Sequence, residues 1–475
     1  MHQLKIKGFI VTMTIIDFQL SDTNRMPKYK QIAERLAEQI EAGHLMANDK
    51  LPTHRLLADK LGVTVGTVTR AYSEAERKGL VEARVGAGTY VVDKKKAYWA
   101  FDQGDNYDSN ECNFGFNIPP MFDRSDMLKE AMEKVAQSPQ ALNQFMIYQK
   151  PTGIDSHREI VADWLNEHGV KLDADRLLFC SGAQHGMQMV FEAFTRAGDT
   201  ILSEKLTYPG LISLAKQKQL TVKGIEMDEE GIIPHALEAA CRQFQARFIY
   251  LTPTLQNPTT ATMSLERRIA ILDICKQHDL YVIEDDVNGL LPADAPPPMV
   301  NLAPEQVIHI GAFSKCLAPG LRVGYIQPPI KLHPHLSITL QNHSWMISPL
   351  LTALACELLR SNKLEHTLDY IRTEMRERLK LALTYLSNFQ LQYTHDCFHV
   401  WLTLPDHWRL SDFVQKAACN GVIVKSAELF TPPAANVPPA VRLALSSPID
   451  QAQVEVGLIK LKALLESTPI SDFTL

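Results

Sequence analysis

Between residues 28 and 45, in KYKQIAERLAEQIEAGHL, apolar side chains return at Ile32, Leu36 and Ile40 with Ala33 and Ala37 beside them, and the run stops at Gly43. This spacing predicts an amphipathic helix closed by a glycine. A second, shorter helix is expected over THRLLADKLG, with Thr53 as N-cap after Pro52 and Gly62 as its terminator. In VTVGTVTRAYSEAERKGL a third helix sets Val68, Ala71, Tyr72 and Ala75 on one face and turns Thr64, Thr67, Arg70 and Arg77 to the others. Two helices joined by a glycine-containing turn, the second polar and short-chained at its start, follow the helix-turn-helix plan. The next stretch, LVEARVGAGTYVV, reads as two short strands around Gly86 and Gly88, a wing.

Periodicity then fails in VDKKKAYWAFDQGDNYDSNEC, where charged and polar residues crowd together. Some 20 such residues at ~3.3 Å each reach about 60 Å, enough to pass from one subunit to another. Beyond this linker, apolar runs bounded by turn residues alternate with helical patterns: RLLFCSG then AQHGMQMVFEAFTRAG, DTILSE then YPGLISLAKQKQ, RFIYLTP then SLERRIAILDICKQHD, then LYVIEDD and VIHIGAFSK. The rhythm predicts an α/β fold, a mostly parallel sheet with helices on both faces and ligands at the carboxyl ends of its strands. A long helical pattern, LEHTLDYIRTEMRERLKLALTYLSNF, followed by CFHVWLTLP and VRLALSS, adds a smaller C-terminal α+β domain. The expected division is a tail over 1–25, a winged helix-turn-helix over 26–92, a linker over 93–112, a large domain over 113–335, and a small domain with its connecting helix over 336–475.

A length of 475 residues with 45% hydrophobic content suits several domains, and a formal charge of -6 speaks against a protein coated in basic surface. Residues 26–92 carry ten Lys/Arg against eight Asp/Glu, a mild net +2 that leaves nucleic-acid binding open. Eight cysteines without a C-x-x-C pair suggest neither a zinc knuckle nor a disulfide frame and fit a reducing cytoplasm. The pairs His333/His335 and His395/His399 lack a matching acid or cysteine cluster, so no metal is expected. The lysines and short apolar run at the start lack a signal-peptide cleavage site and are read as a tail or upstream extension, with Met13 and Met26 as alternative starts. No segment approaches the ~20 apolar residues of a membrane helix.

Chemistry gathers just past the predicted strands. SGAQHG, residues 181–186, offers small residues and free backbone N–H groups at a helix start, a place for an anion. TPTLQNPTT supplies Asn257, VIEDD supplies Asp285 and GAFSK supplies Lys315. An acid, an amide and a lysine at one mouth suit a cofactor with a basic ring nitrogen, a phenolic oxygen and an aldehyde.

The run KLPTHRLLADKLGVTVGTVTRAYSEAERKGLVEARVGAGTYV resembles the GntR family winged helix over its whole length. The resemblance implies binding of a double-stranded operator by a dimer, with Arg55, Thr64, Thr67 and Gly86 at positions that touch DNA and Arg70 added on the polar side of the third helix. Val65 and Thr69 stand where some relatives carry arginines, which predicts a weaker phosphate contribution or a different base preference.

Residues 113–465 resemble fold type I pyridoxal-phosphate aminotransferases, and the whole chain resembles the MocR subfamily of GntR regulators. That resemblance implies pyridoxal 5'-phosphate as cofactor, with Lys315 as its aldimine lysine, Asp285 at the pyridine nitrogen, Asn257 at the ring hydroxyl and Tyr208 stacked on the ring. Gly182, Ala183, Gln184, Ser314 and Arg322 would hold the phosphate, Tyr148 would reach the partner subunit's phosphate, and Arg442 would grip an amino acid's α-carboxylate. Relatives usually have a tyrosine two or three places after the aspartate and a hydroxyl three before the lysine; here Val287, Asn288 and Ala312 occupy those places. The implied function is a cytoplasmic regulator, a homodimer with swapped arms, whose amine or amino acid effector forms an external aldimine at Lys315. Two alternatives are an active aminotransferase with a DNA-binding arm and a regulator whose pocket no longer holds cofactor.

Overall fold

The computed structural model describes residues 20, 26–46, 49–78, 80–84, 88–91, 111–361, 363–433 and 435–468. The chain divides into two compact units, Met1–Asp105 and Asn106–Leu475.

The first unit contains α1 (Lys28–Glu41), α2 (His54–Leu61), α3 (Val65–Arg77) and a hairpin of β1 (Val81–Arg84) and β2 (Gly88–Val91). Ile32, Leu36, Leu57, Val68, Ala71 and Ala75 meet in a closed core, the faces that the four-residue spacing marks as apolar. Thr53 caps α2 by accepting from Leu56 N, and Gly62 ends it at φ 63, a left-handed conformation that glycine adopts without penalty. The Tyr72 hydroxyl donates to Pro52 O at 2.8 Å and ties α3 to the turn before α2. Gly86 and the 93–110 part of the linker lie outside the described residues.

The second unit is built on a seven-stranded sheet among the described residues. Across it run Leu178–Cys180, Gly324–Gln327, Val307–Ala312, Tyr281–Asp285, Ala246–Leu251, Thr200–Glu204 and Thr221–Ile225. Gly324–Gln327 runs opposite to both of its neighbours, and the other strands share one direction. Apolar side chains fill both faces, as a sheet covered by helices requires: Phe191, Phe248 and Ile310 on one side, Phe179, Ile249 and Val282 on the other. Each fully buried Phe of this set is worth about 1.5–3 kcal/mol.

A second, antiparallel sheet orders Leu391–Gln392, Val400–Thr403, Ala440–Leu443 and Lys425–Ser426. The 24-residue helix Lys363–Leu386 comes just before it in the chain. Arg378, buried in that helix, donates to the carbonyls of Leu445, Pro448 and Ile449, the stretch that leaves Ala440–Leu443. Beside this sheet, Cys112–Asn113 pairs in parallel with Val422–Ile423.

Candidate active site

The strands that share one direction deliver their carboxyl ends to one edge, where the structure places the residues singled out by sequence. Asp285 closes Tyr281–Asp285, Lys315 follows Val307–Ala312, Gly182 follows Leu178–Cys180, and Tyr208 follows Thr200–Glu204. The reversed strand explains Arg322: running antiparallel, Gly324–Gln327 brings its amino end to this same edge, with Gly324 in register with Ala312 and Cys180.

Lys315 Nζ donates to the carbonyl of Asn117. Burial first, and then the nearby Arg442 charge, push its amine down to about 8, against a weaker opposing pull from Asp285. Asp285 is itself buried, and burial raises its carboxyl above the ordinary range even though it accepts from the Tyr250 hydroxyl at 2.6 Å. Arg442 is 5% exposed and spends its fork on two acceptors, Asn257 Oδ1 at 3.0 Å and Gly115 O at 2.6 Å. Its Nε has no partner among the described residues, and burial pushes its guanidinium down to about 10. With Oδ1 taken by Arg442, Asn257 has its amide N–H groups left to offer.

The residues expected to hold a phosphate lie at the same edge. Gly182, at φ 84 and ψ 167, precedes the helix Ala183–Phe194, whose start has no side-chain cap. A Cβ at Gly182 would fall 2.6 Å from Arg322 Nη2, so only glycine lets the guanidinium approach the helix start this closely. Arg322 Nη2 donates to Ser181 O at 2.8 Å and takes up the left-handed conformation, φ 53. Gln184 donates to Gly210 O at 3.4 Å while its Oε1 is buried without a partner, and Ser314 is half-buried beside Lys315. Burial pushes the Tyr208 hydroxyl up, the Asp285 charge adds to the rise, and Arg442 and Arg322 oppose it.

Tyr148 is not gathered here with the rest. It is 79% exposed, with its ring 5.4 Å from that of Trp345, and the neighbouring Met146 and Ile147 are exposed too.

Sequence reasoning gave no role at this edge to Tyr250, His399 or Asn117. Tyr250 sits in an apolar strand like any core aromatic, yet its hydroxyl points at Asp285. His399 lies 3.3 Å from both Asn117 Oδ1 and Gln256 O, joining three segments far apart in the chain. Burial, and then the nearby Arg442 charge, push its pKa well below the ordinary value. At the positions where relatives have a tyrosine, Asn288 donates instead to Leu255 O at 2.9 Å and braces the turn that carries Asn257.

In the first unit, Arg55, Thr64 and Arg70 are exposed and Thr67 is half-buried. Thr64 caps α3, its Oγ1 accepting from Thr67 N at 3.2 Å. Thr69 donates back to Val65 O at 3.0 Å, and Val65 is 43% exposed, so the amino end of α3 presents hydroxyl and methyl groups.

A three-helix unit with a hairpin, joined to an α/β unit whose lysine, aspartate and arginine converge at strand ends, is a DNA-binding domain fused to an aminotransferase-like domain. Residues 28–91 match the gntR family of bacterial regulatory proteins, and residues 109–461 match aminotransferase class I and II. The chain belongs to the GntR-type regulators that carry an aminotransferase class I and II domain, the MocR architecture. It is 30% identical over 449 residues to the uncharacterized HTH-type transcriptional regulator YdeF of Bacillus subtilis, covering 94% of this chain and 96% of that one. An archaeal alanine:glyoxylate aminotransferase shares the fold of the second unit, with a TM-score of 0.69 at 23% identity over 78% of this chain and 93% of that one. LysN, the α-aminoadipate aminotransferase of Thermus thermophilus, gives 0.68 at 25% identity over 75% and 92%, and was solved with N-(5'-phosphopyridoxyl)-L-leucine. Among the described residues no helix is long and apolar enough to cross a membrane.

Proposed function

We propose that this regulator binds pyridoxal 5'-phosphate in its second unit and an amine or amino acid beside it, and that occupancy controls operator binding by the first. The observation that carries the reading is Lys315: a lysine at a strand end, with an amine pushed down to about 8 and Asp285 and Arg442 within electrostatic reach. The donor set fits the cofactor. Arg322, the uncapped helix start and Gly182, whose lack of a side chain lets the two approach, suit a phosphate; Asp285 suits a basic ring nitrogen; the free amide of Asn257 suits a phenolic oxygen. When bound, pyridoxal phosphate supplies an aldehyde that condenses with a primary amine, releasing water, and a ring that draws electrons.

The chain's own residues do the rest. A lysine amine lowered toward neutrality is unprotonated often enough to act as a nucleophile. Asp285, steered by Tyr250, offers one oxygen to the ring nitrogen and holds a proton there. Tyr208 is assigned to one face of the ring, and Arg442 offers a carboxylate its unpartnered Nε and the N–H groups its two present bonds leave over. Ala183, Gln184 and Ser314 complete the phosphate contacts. In the first unit Arg55, Thr64, Thr67 and Arg70, with Gly86 in the wing, are assigned to operator DNA, Arg55 and Arg70 to phosphates and the threonines to bases. Exposed Tyr148, beside exposed Met146 and Ile147, suits a homodimer in which it reaches the partner's site, and the linker length permits swapped arms. Residues 26–92, 113–335 and 336–475 are taken as the three working domains, in a cytoplasmic protein.

The test is a visible absorbance spectrum of the purified chain with pyridoxal phosphate, beside Lys315→Ala, followed by titration with an amino acid panel. A lysine-dependent band that one amine perturbs supports the reading; no band sinks it. A second reading, a working aminotransferase, is favoured by the presence of lysine, aspartate and arginine together at one edge. Steady turnover of an amino acid with a keto acid would establish it.

A further inference from the structure

Gln392, Trp401, Arg442 and Lys425 stand opposite one another in register across the four strands of the small sheet, and residues directly opposite project from the same face. Arg442 donates to Asn257 Oδ1 and Gly115 O, so this face is the one turned to the candidate site. On one flank of Arg442 the row is closed: Trp401 is buried, and its ring meets that of Phe430 edge-on with centroids 6.0 Å apart. On the other flank stands Lys425, 8% exposed. Its stem lies against Gly115, where a Cβ would come 3.2 Å from Lys425 Cε, and its Nζ lies 5.5 Å from the centre of the Phe116 ring. Lys315 Nζ donates to Asn117 O. Three cationic side chains thus approach the consecutive residues Gly115, Phe116 and Asn117, and sequence reasoning named Lys315 and Arg442 without Lys425.

Two like charges set side by side in a buried place repel each other. Burial first, and then the charge of Arg442, push the Lys425 amine down to about 8, which leaves it mostly protonated at neutral pH. A ligand with two negative groups that meets both cations removes that repulsion. The proposed function already assigns the other charges: Lys315 to the aldehyde, Arg322 to the phosphate and Asp285 to the ring nitrogen. Arg442 and Lys425 are what remains for the effector. We propose that Lys425 makes this a site for a dicarboxylic amino acid, such as glutamate or aspartate, whose α-carboxylate lies on Arg442 and whose side-chain carboxylate lies on Lys425. Neighbouring strands stand about 4.8 Å apart, a distance that the short carbon chain between two such carboxylates spans. Trp401 offers only an indole on the opposite flank, so along this row the second carboxylate finds a positive charge in one direction. Both cations are nearly shut off from water, where a charge-assisted hydrogen bond is strongest. This inference rests on the proposed function for the cofactor and the amine, but the pairing of two carboxylates with two cations needs neither.

Absorbance titration of the full-length chain loaded with pyridoxal phosphate tests it, with glutamate set against norvaline and aspartate against 2-aminobutyrate, pairs in which a methyl group replaces the side-chain carboxylate. At least one acidic member should perturb the band at a Kd about 10- to 150-fold below that of its counterpart. Lys425→Met, which keeps the stem and loses the charge, should bring that ratio to within about threefold of unity, and Lys425→Arg should preserve the preference. Calorimetric titration with glutarate against valerate uses neither cofactor nor amine and should show the same order in wild type and lose it in Lys425→Met. With the band present, ratios within about threefold of unity for both pairs in wild type overturn the inference and leave the cofactor reading standing, a result that holds even where Lys425→Met does not fold. A preference that survives intact in Lys425→Met also overturns it, because the second carboxylate then lies elsewhere. A missing band together with a Lys425-dependent preference for glutarate removes the cofactor reading and upholds the two-cation site.

Discussion

Substituting Gly182 by alanine tests the anion pocket with a single methyl group. The new Cβ would lie 2.6 Å from Arg322 Nη2 and 3.0 Å from its Cζ. Retreat of the backbone is blocked, because Gly324 already packs against it so tightly that a Cβ on Gly324 would come 2.8 Å from Gly182 Cα. Arg322 must therefore swing out and give up Ser181 O. A charged hydrogen bond is worth about 1.5–3 kcal/mol, so the pyridoxal phosphate Kd should rise roughly 10- to 150-fold. Separately, φ 84 with ψ 167 is a region kept almost wholly for glycine, and forcing alanine into it costs about 1–3 kcal/mol of folding stability. An absorbance titration reads the first effect and a urea melt the second. Arg322→Ala should reproduce the loss of affinity without the loss of stability. A Kd within threefold of wild type in both variants would refute the assignment of this pocket to the phosphate.

Glu284 and His309 form an ion pair at 2.8 Å with neither side chain exposed, and His309→Phe leaves a buried carboxylate behind, at a cost of about 3–5 kcal/mol in a urea melt. The pair raises the His309 pKa and lowers that of Glu284, each against the opposing effect of burial. The histidine contribution is complete below the ordinary value of 6.5 and lost as pH rises through the folded value; the glutamate contribution is complete above 4.5 and lost as pH falls through its lowered value. The gap between wild type and variant should be widest between those two values, and a gap that grows toward alkaline pH would contradict the pairing. Tyr250→Phe removes a donor to Asp285 and should raise that carboxyl further, so its stability deficit should widen as pH rises and narrow in acid; a pH-independent deficit would show that the hydroxyl acts only by packing. In the first unit, Thr64→Ala should cost about 1 kcal/mol through the lost cap, seen in a thermal melt. Arg70→Ala should leave the melt unchanged and reduce the salt slope of duplex binding by about 1, whereas an unchanged slope would remove Arg70 from the phosphate set.

Local chemistry carried much of the fold. Thr53 and Gly62 mark their helix ends because a hydroxyl cap and a left-handed glycine have few other uses in such positions. The edge with Asn257, Asp285 and Lys315 was legible because strands of one direction all open toward it. Gly324–Gln327 was not, since a four-residue strand buried on both faces has no alternation to read, and its reversed direction is what puts Arg322 in place. Glu284 and His309 stand at matching positions of VIEDD and VIHIG, but they become neighbours only once those strands are known to pair in that register. Tyr250, Asn117 and His399 carry no local signal: an aromatic in a strand, an amide in a loop and a buried histidine acquire meaning only from what the fold brings opposite them.

Arg378 gives the small sheet a mechanical property. By fastening the carbonyls of Leu445, Pro448 and Ile449, it welds the end of Ala440–Leu443 to the middle of Lys363–Leu386. Twenty-four residues at ~1.5 Å each make a stiff beam of about 36 Å, so a tilt of ~5° at one end sweeps the other through about 3 Å. Because Arg442 lies three residues from the weld, a displacement of that strand end would be carried into the whole beam rather than absorbed locally.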